Sequence, residues 1–123
     1  MIDTGNIVDI SEWWRNGVGP GWQDICWRLH AELMAIDPGY NPVQVKEKFG
    51  GLRYYIDSTY EWDTPEWEAM NEAITVAEKE SLKTCEDCGQ PGELRSKNRY
   101  WIRTLCDACD APYLKNKSEI GYK

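Results

Sequence analysis

Four thiols in the last third of the chain have the type and spacing to do chemistry. Cys85 and Cys88 lie in CEDCGQPG, Cys106 and Cys109 in LCDAC, and seventeen residues separate the two C-x2-C pairs. Two such pairs at this distance predict one four-thiolate zinc site. A closed shell of four sulfurs leaves no position for water, so the expected zinc is structural rather than catalytic. Iron in the same shell, a redox dithiol and two disulfides stand as alternatives.

The segments that must hold these thiols are short. Gly89 follows the second cysteine, where a knuckle turns sharply so that backbone amides can face the sulfurs. Between the pairs, GELRSKNRYWIRTL reads as two β-like runs, 93–95 and 100–105, around a polar Ser96-Lys97-Asn98 turn. Two knuckles joined by such a hairpin make a zinc ribbon. Its basic and aromatic residues, Arg95, Lys97, Arg99, Tyr100, Trp101 and Arg103, are a candidate nucleic-acid surface.

A second candidate site lies upstream. NPVQVKEKFGGLRYYID, residues 41–57, reads as a β-hairpin turning at Gly50-Gly51, with a short helix at 43–49 as the competing reading. The hairpin predicts Phe49 opposite Leu52, Lys48 opposite Arg53, Lys46 opposite Tyr55 and Val45 opposite Ile56. Alternation then gathers Lys46, Lys48, Arg53 and Tyr55 on one face. Cations beside an aromatic are what a phosphate plus a base would need, so this face is a candidate nucleotide site. The competing reading is a solvated strand edge guarded by lysine.

The rest of the chain supplies the frame. Trp22, Ile25, Cys26, Leu29, Leu33 and Ile36 recur at helical steps and predict a helix over 22–36, stopped at Asp37-Pro38-Gly39. Cys26 is expected to be a core thiol, and His30, the single histidine, a surface or half-buried one. A second helix is expected from an Asp63 cap with Glu66 closing a capping box, running to about Leu82 with Trp67, Met70, Ile74, Ala77 and Ser81 inward. A short helix over 10–15, capped by Ser11, and a loosely ordered tail from Pro112 complete the expectations.

Composition narrows the function classes. The chain of 123 residues has seven Trp and seven Tyr against one Phe, rings suited to half-buried positions and binding surfaces. Residues 1–82 carry six basic and fifteen acidic side chains, a net of −9. Residues 83–123 carry eight basic and six acidic, a net of +2 that four thiolates and one Zn2+ would neutralise. This is not the footprint of a general nucleic-acid binder, and an acidic surface can attract basic protein surfaces. Nothing approaches a membrane span, and MIDTGNIVDI has no secretory pattern, so a reducing cytoplasm is expected. No G-x-S-x-G, P-loop or HExxH occurs, and Asp37, Asp57, Glu61 and Asp63 have no spacing that marks a catalytic pair, so no enzyme is expected.

The run VKEKFGGLRYY, then a C-x2-C-G-x2-G knuckle, then W-x2-T-L-C-D resembles a group of small phage- and prophage-encoded zinc-ribbon proteins, over about residues 43–109. In that group the last metal position is often histidine, and here it is Cys109. The resemblance implies a phage accessory protein in the host cytoplasm that acts on a host enzyme or defence system. It carries over no catalytic residue.

The expected architecture is α+β: two main helices packed on a small antiparallel sheet, with a C-terminal four-cysteine zinc ribbon. The expected division is an acidic domain over 1–82 with the ribbon module of 83–123 docked on it. The leading functional expectation is binding and modulating a host protein. Sequestering a nucleotide, and binding nucleic acid through the ribbon, are the alternatives.

Overall fold

The computed structural model describes residues 17–98 and 101–111. A 3-10 turn at Pro20–Trp22 leads into α1, Gln23–Ile36. The hairpin β1, Asn41–Lys48, and β2, Gly51–Asp57, follows. Then come α2, Pro65–Ser81, and a second hairpin of β3, Glu93–Asn98, and β4, Trp101–Leu105. Each hairpin is its own two-stranded antiparallel sheet. The α+β architecture is therefore as expected. The short helix over 10–15 and the tail from Pro112 lie outside the described residues.

α1 forms because its apolar residues share one stripe: Ile25, Cys26, Leu29 and Leu33 are all buried. Asp37 ends it in an extended conformation, as a residue before proline must. Met70, Ala73, Ile74, Ala77 and Ser81 form the buried stripe of α2. These meet Val45, Leu52 and Tyr54 from the first hairpin in one core that also holds Trp22. Burial pushes the Cys26 thiol up to about 12, which suits an inert core residue. Arg28 ties the two helices at the surface, pairing with Asp24 and with Glu80.

Three local expectations are corrected. Thr64, not Asp63, caps α2: its hydroxyl accepts from the Trp67 amide at 3.2 Å. Pro65 stands at the first helical position and forces the residue before it into extended backbone, which makes Thr64 the cap. His30 is buried, 1% exposed, because its Nδ1 bonds the Tyr40 hydroxyl, which in turn bonds the Tyr54 hydroxyl at 2.9 Å. A polar ring satisfied in this way can enter a core. Third, Ser96, Lys97 and Asn98, expected as the turn, belong to β3, and Asn98 pairs with Trp101.

The register of the first hairpin also differs. Lys48 pairs with Gly51, Glu47 with Leu52, Lys46 with Arg53 and Val45 with Tyr54. The turn is Phe49-Gly50, both at positive φ (53° and 80°), as a two-residue turn of the I′ kind requires. Gly50-Gly51 would relax more easily, but tertiary contacts hold the other turn. Glu47 Oε2 accepts from the Gly50 amide at 2.7 Å, and the Thr104 hydroxyl donates to the Gly50 carbonyl at 2.6 Å. Because the two-residue loop moves back by one, each strand keeps its inward face. Phe49 alone leaves the core and stands 61% exposed.

α2 also closes the free edge of β2. Ser81 Oγ accepts from the Leu52 amide at 2.9 Å, and Glu78 Oε2 from the Tyr54 amide at 3.1 Å. Strand donors that would otherwise invite another chain are thereby occupied.

Candidate metal centre and flanking surfaces

Cys85, Cys88, Cys106 and Cys109 come together, with their four sulfurs all within 4.8 Å of one another. They could hold a metal ion. The knuckle that carries the first pair is a small closed loop. Thr84 bridges Pro91, the Cys85 amide donates to the Gln90 carbonyl at 2.7 Å, and the Gly89 amide to the Cys85 carbonyl at 3.0 Å. Gly89 sits at φ 83°, as a sharp turn here demands. The second pair is built differently from a strand-borne knuckle. β4 ends at Leu105, and a helical turn over 107–111 follows, with the Asp110 amide on the Cys106 carbonyl at 2.9 Å. That turn brings Cys109 back beside Cys106.

The sulfur spacing suits a tetrahedral ion. Cys88 Sγ and Cys106 Sγ are 3.6 Å apart. Four sulfurs at the usual zinc–sulfur bond length would be separated by about 3.8 Å. Cys85 is buried, Cys88 exposed and the other two half-buried. Burial alone would raise the Cys85 thiol, but backbone amides of Cys106, Cys88 and Asp87 outweigh it and lower it to about 7. Hydrogen bonds to the Cys106, Cys88 and Cys85 sulfurs push the Cys109 thiol up. Four sulfurs this close cannot all become thiolates without a cation among them.

The centre is locked to the remainder of the fold from two sides. Trp22 Nε1 donates to the Thr84 carbonyl at 2.8 Å, and the Gly21 amide to the Glu86 carbonyl at 2.7 Å. A Cβ on Gly21 would lie 2.0 Å from the Cys85 carbonyl oxygen, so only glycine allows this approach. On the other side, Thr104 grips the turn of the first hairpin through Gly50. Glu86 is buried beneath both, accepting from the Thr104 amide at 2.7 Å with Arg103 Nε 3.5 Å away. A surface cavity of about 330 Å3 lies beside the knuckle, lined among others by Gly21, Asp24, Arg28, Glu80 and Cys88.

The basic hairpin between the cysteine pairs is already engaged with acids. Arg95 and Arg103 are directly opposite in the β3–β4 ladder. Arg95 pairs with Asp107 at 2.8 Å, Glu93 at 3.4 Å and Asp110 at 3.6 Å. Arg103 pairs with Asp87 at 2.7 Å, and Lys97 with Asp110 at 3.0 Å. Lys97 also lies over the Trp101 ring, 5.4 Å from its centre. Arg99 and Tyr100 lie outside the described residues. The composition of the hairpin suggested a free basic face, whereas the fold folds acids from both cysteine segments onto it.

On the first hairpin, Lys46, Lys48, Arg53 and Tyr55 do share the face turned away from the core, although the pairs differ from those expected. Lys46 is directly opposite Arg53, and Tyr55 opposite Gln44. None of the three cations is in an ion pair with a described residue. Leu82, from the end of α2, and Leu94, from β3, reach the same turn. A Cβ on Gly51 would lie 3.2 Å from Leu82 Cδ2, and one on Gly50 2.4 Å from Leu94 Cδ1. Neither leucine stands out in the sequence as a site residue; only the arrival of two separate elements at one turn reveals them.

Among the described residues no helix is long and apolar enough to cross a membrane. Compared with protein-family models, curated proteins and solved structures, the chain matches none of them.

Proposed function

We propose that the chain is a zinc-stapled interaction protein that binds and modulates a host protein, in the host cytoplasm and in the service of a phage, with counter-defence as the purpose the resemblance implies. The observation that carries the interaction reading is large apolar surface left outside a closely hydrogen-bonded frame. Trp62 is 76% exposed, Phe49 61% and Tyr55 46%. Rings of this size on a rigid frame are what binding surfaces use as anchors. Zinc is the ion favoured by four thiolates at near-tetrahedral spacing, and it would hold the second hairpin against both the start of α1 and the first hairpin. Its role is to staple; the exposed rings do the binding.

The nucleotide reading draws support from the opposed Lys46 and Arg53, which favour an anion. The 330 Å3 cavity beside the knuckle takes none of its lining from this hairpin. The nucleic-acid reading is weaker still, since Arg95, Lys97 and Arg103 would have to give up acidic partners.

Affinity purification of the tagged chain from infected host cells, followed by mass spectrometry for proteins and small nucleotides, tests the reading. It predicts one host protein recovered in near-stoichiometric amount. A nucleotide recovered in place of any protein overturns it in favour of sequestration.

A further inference from the structure

We propose that the outer face of the first hairpin docks an acidic, partly apolar segment of the partner protein, with carboxylates on Lys46, Lys48 and Arg53 and an apolar side chain against Phe49, Leu82 and Leu94. This rests on the interaction reading above and names its surface and the chemistry of its partner.

Three observations converge on one turn. The first is charge. Like charges directly opposite in a ladder repel, yet Lys46 faces Arg53 with no acidic partner among the described residues. They stand so on a chain whose formal net charge is −7, where carboxylates for pairing are plentiful. A carboxylate arriving from outside would turn a repulsive pair into two charge-assisted hydrogen bonds.

The second is backbone. Phe49 holds φ at 53°, a left-handed conformation that disfavours bulky side chains, and its ring projects into solvent with Lys48 Nζ 5.8 Å from its centre. Asn or Gly would suit this turn position better. A strained and exposed aromatic at this position points to a role other than stability.

The third is apolar surface. Leu82 and Leu94 are 44% and 52% exposed and reach the same turn glycines, and Arg53 Nη1 lies 3.7 Å from where a Gly51 Cβ would stand. Apolar side chains with Lys48 and Arg53 beside them match a segment of opposite character: acids next to an apolar anchor. The free edge of β2 is closed by Ser81 and Glu78, and on the β1 edge the Glu47 amide donates to the Gly17 carbonyl at 2.8 Å, so docking uses this face and not strand addition.

A second copy of the chain could also bring acids, from the glutamates of α2. That contact would join two different surfaces and extend head to tail, so the separate partner is the occupant assigned.

Selection of a random peptide display library on the full zinc-loaded chain tests this. Two variants separate binding from folding, because each relieves a local conflict: Arg53→Glu and Phe49→Asn. The expected result is peptides rich in Asp and Glu with an apolar residue, bound at least about tenfold more weakly by each variant, while both variants melt no lower than the parent. Acidic peptides bound equally by both variants overturn the proposal. So does competition by ATP or a single-stranded oligonucleotide at lower concentration than the peptide, or self-association of the parent that Arg53→Glu abolishes. Neutral peptides that bind elsewhere overturn the surface and leave the interaction reading standing. No selected peptide, together with no co-purified host protein, overturns both.

Discussion

Lys46 lies directly across the β1–β2 ladder from Arg53, two cations where a ladder favours opposite charges. Arg53→Glu should therefore stabilise the fold, by about 0.2–1 kcal/mol. Thermal melting at low ionic strength should show a rise of a few degrees that shrinks as salt is added. A fall in melting temperature would mean that the guanidinium, whose Nη1 donates to the Leu52 carbonyl at 3.5 Å, matters more to the fold than the repulsion.

Phe49 provides an independent check on the turn. Replacing it by Gly or Asn removes a bulky side chain from left-handed backbone and should raise stability by about 1 kcal/mol. If Gly50-Gly51 were the true turn, the same change would not relieve any strain, and denaturant midpoints would stay level or drop.

Much of this was legible in advance, and the exceptions share a cause. Periodicity located α1, α2 and both hairpins, because those patterns record which side chains face inward. The cysteine spacing located the four-sulfur cluster, because sulfur separation follows from knuckle geometry. The turn at Phe49-Gly50 was not legible: Thr104, 54 residues away, helps to fix it through the Gly50 carbonyl. Nor was the neutralised basic hairpin, since Asp87, Asp107 and Asp110 meet Arg103, Arg95 and Lys97 only after the cysteine segments fold over. Full burial of His30, expected as a surface or half-buried histidine, was not legible because its partner Tyr40 lies beyond the end of its own helix.

Asp37 sets the behaviour in acid. Its carboxylate is 1% exposed and accepts from Ser58 Oγ at 2.7 Å, the Thr59 amide and hydroxyl at 2.8 Å each, and the Gly39 amide at 3.0 Å. Burial by itself would raise this carboxyl, but the bonds from Ser58, Thr59 and Gly39 outweigh it and hold it below its ordinary value. A depressed folded-state pKa contributes stability that is complete above the unfolded value, about 3.9, and is lost as pH falls through the folded one. Asp37→Asn should cost about 1–3 kcal/mol near neutrality and flatten the acid limb of the stability profile. An unchanged acid limb would remove Asp37 as its source.

Thr104 is expected to couple the two hairpins. Thr104→Val keeps the shape but leaves the Gly50 carbonyl without its donor in a buried position. A loss of about 1–3 kcal/mol is expected, with faster amide exchange in β1 and β2 as well as near the cysteines. Faster exchange confined to β3 and β4 would show that the modules fold independently.

The proposed staple requires that the four clustered cysteines hold one structural zinc. X-ray absorption at the zinc edge of the purified full chain tests it most directly. One zinc per chain is expected, with four sulfur neighbours at about 2.3 Å and no nitrogen or oxygen in the shell. A shell containing nitrogen or oxygen, or a folded chain that carries no zinc, would contradict it.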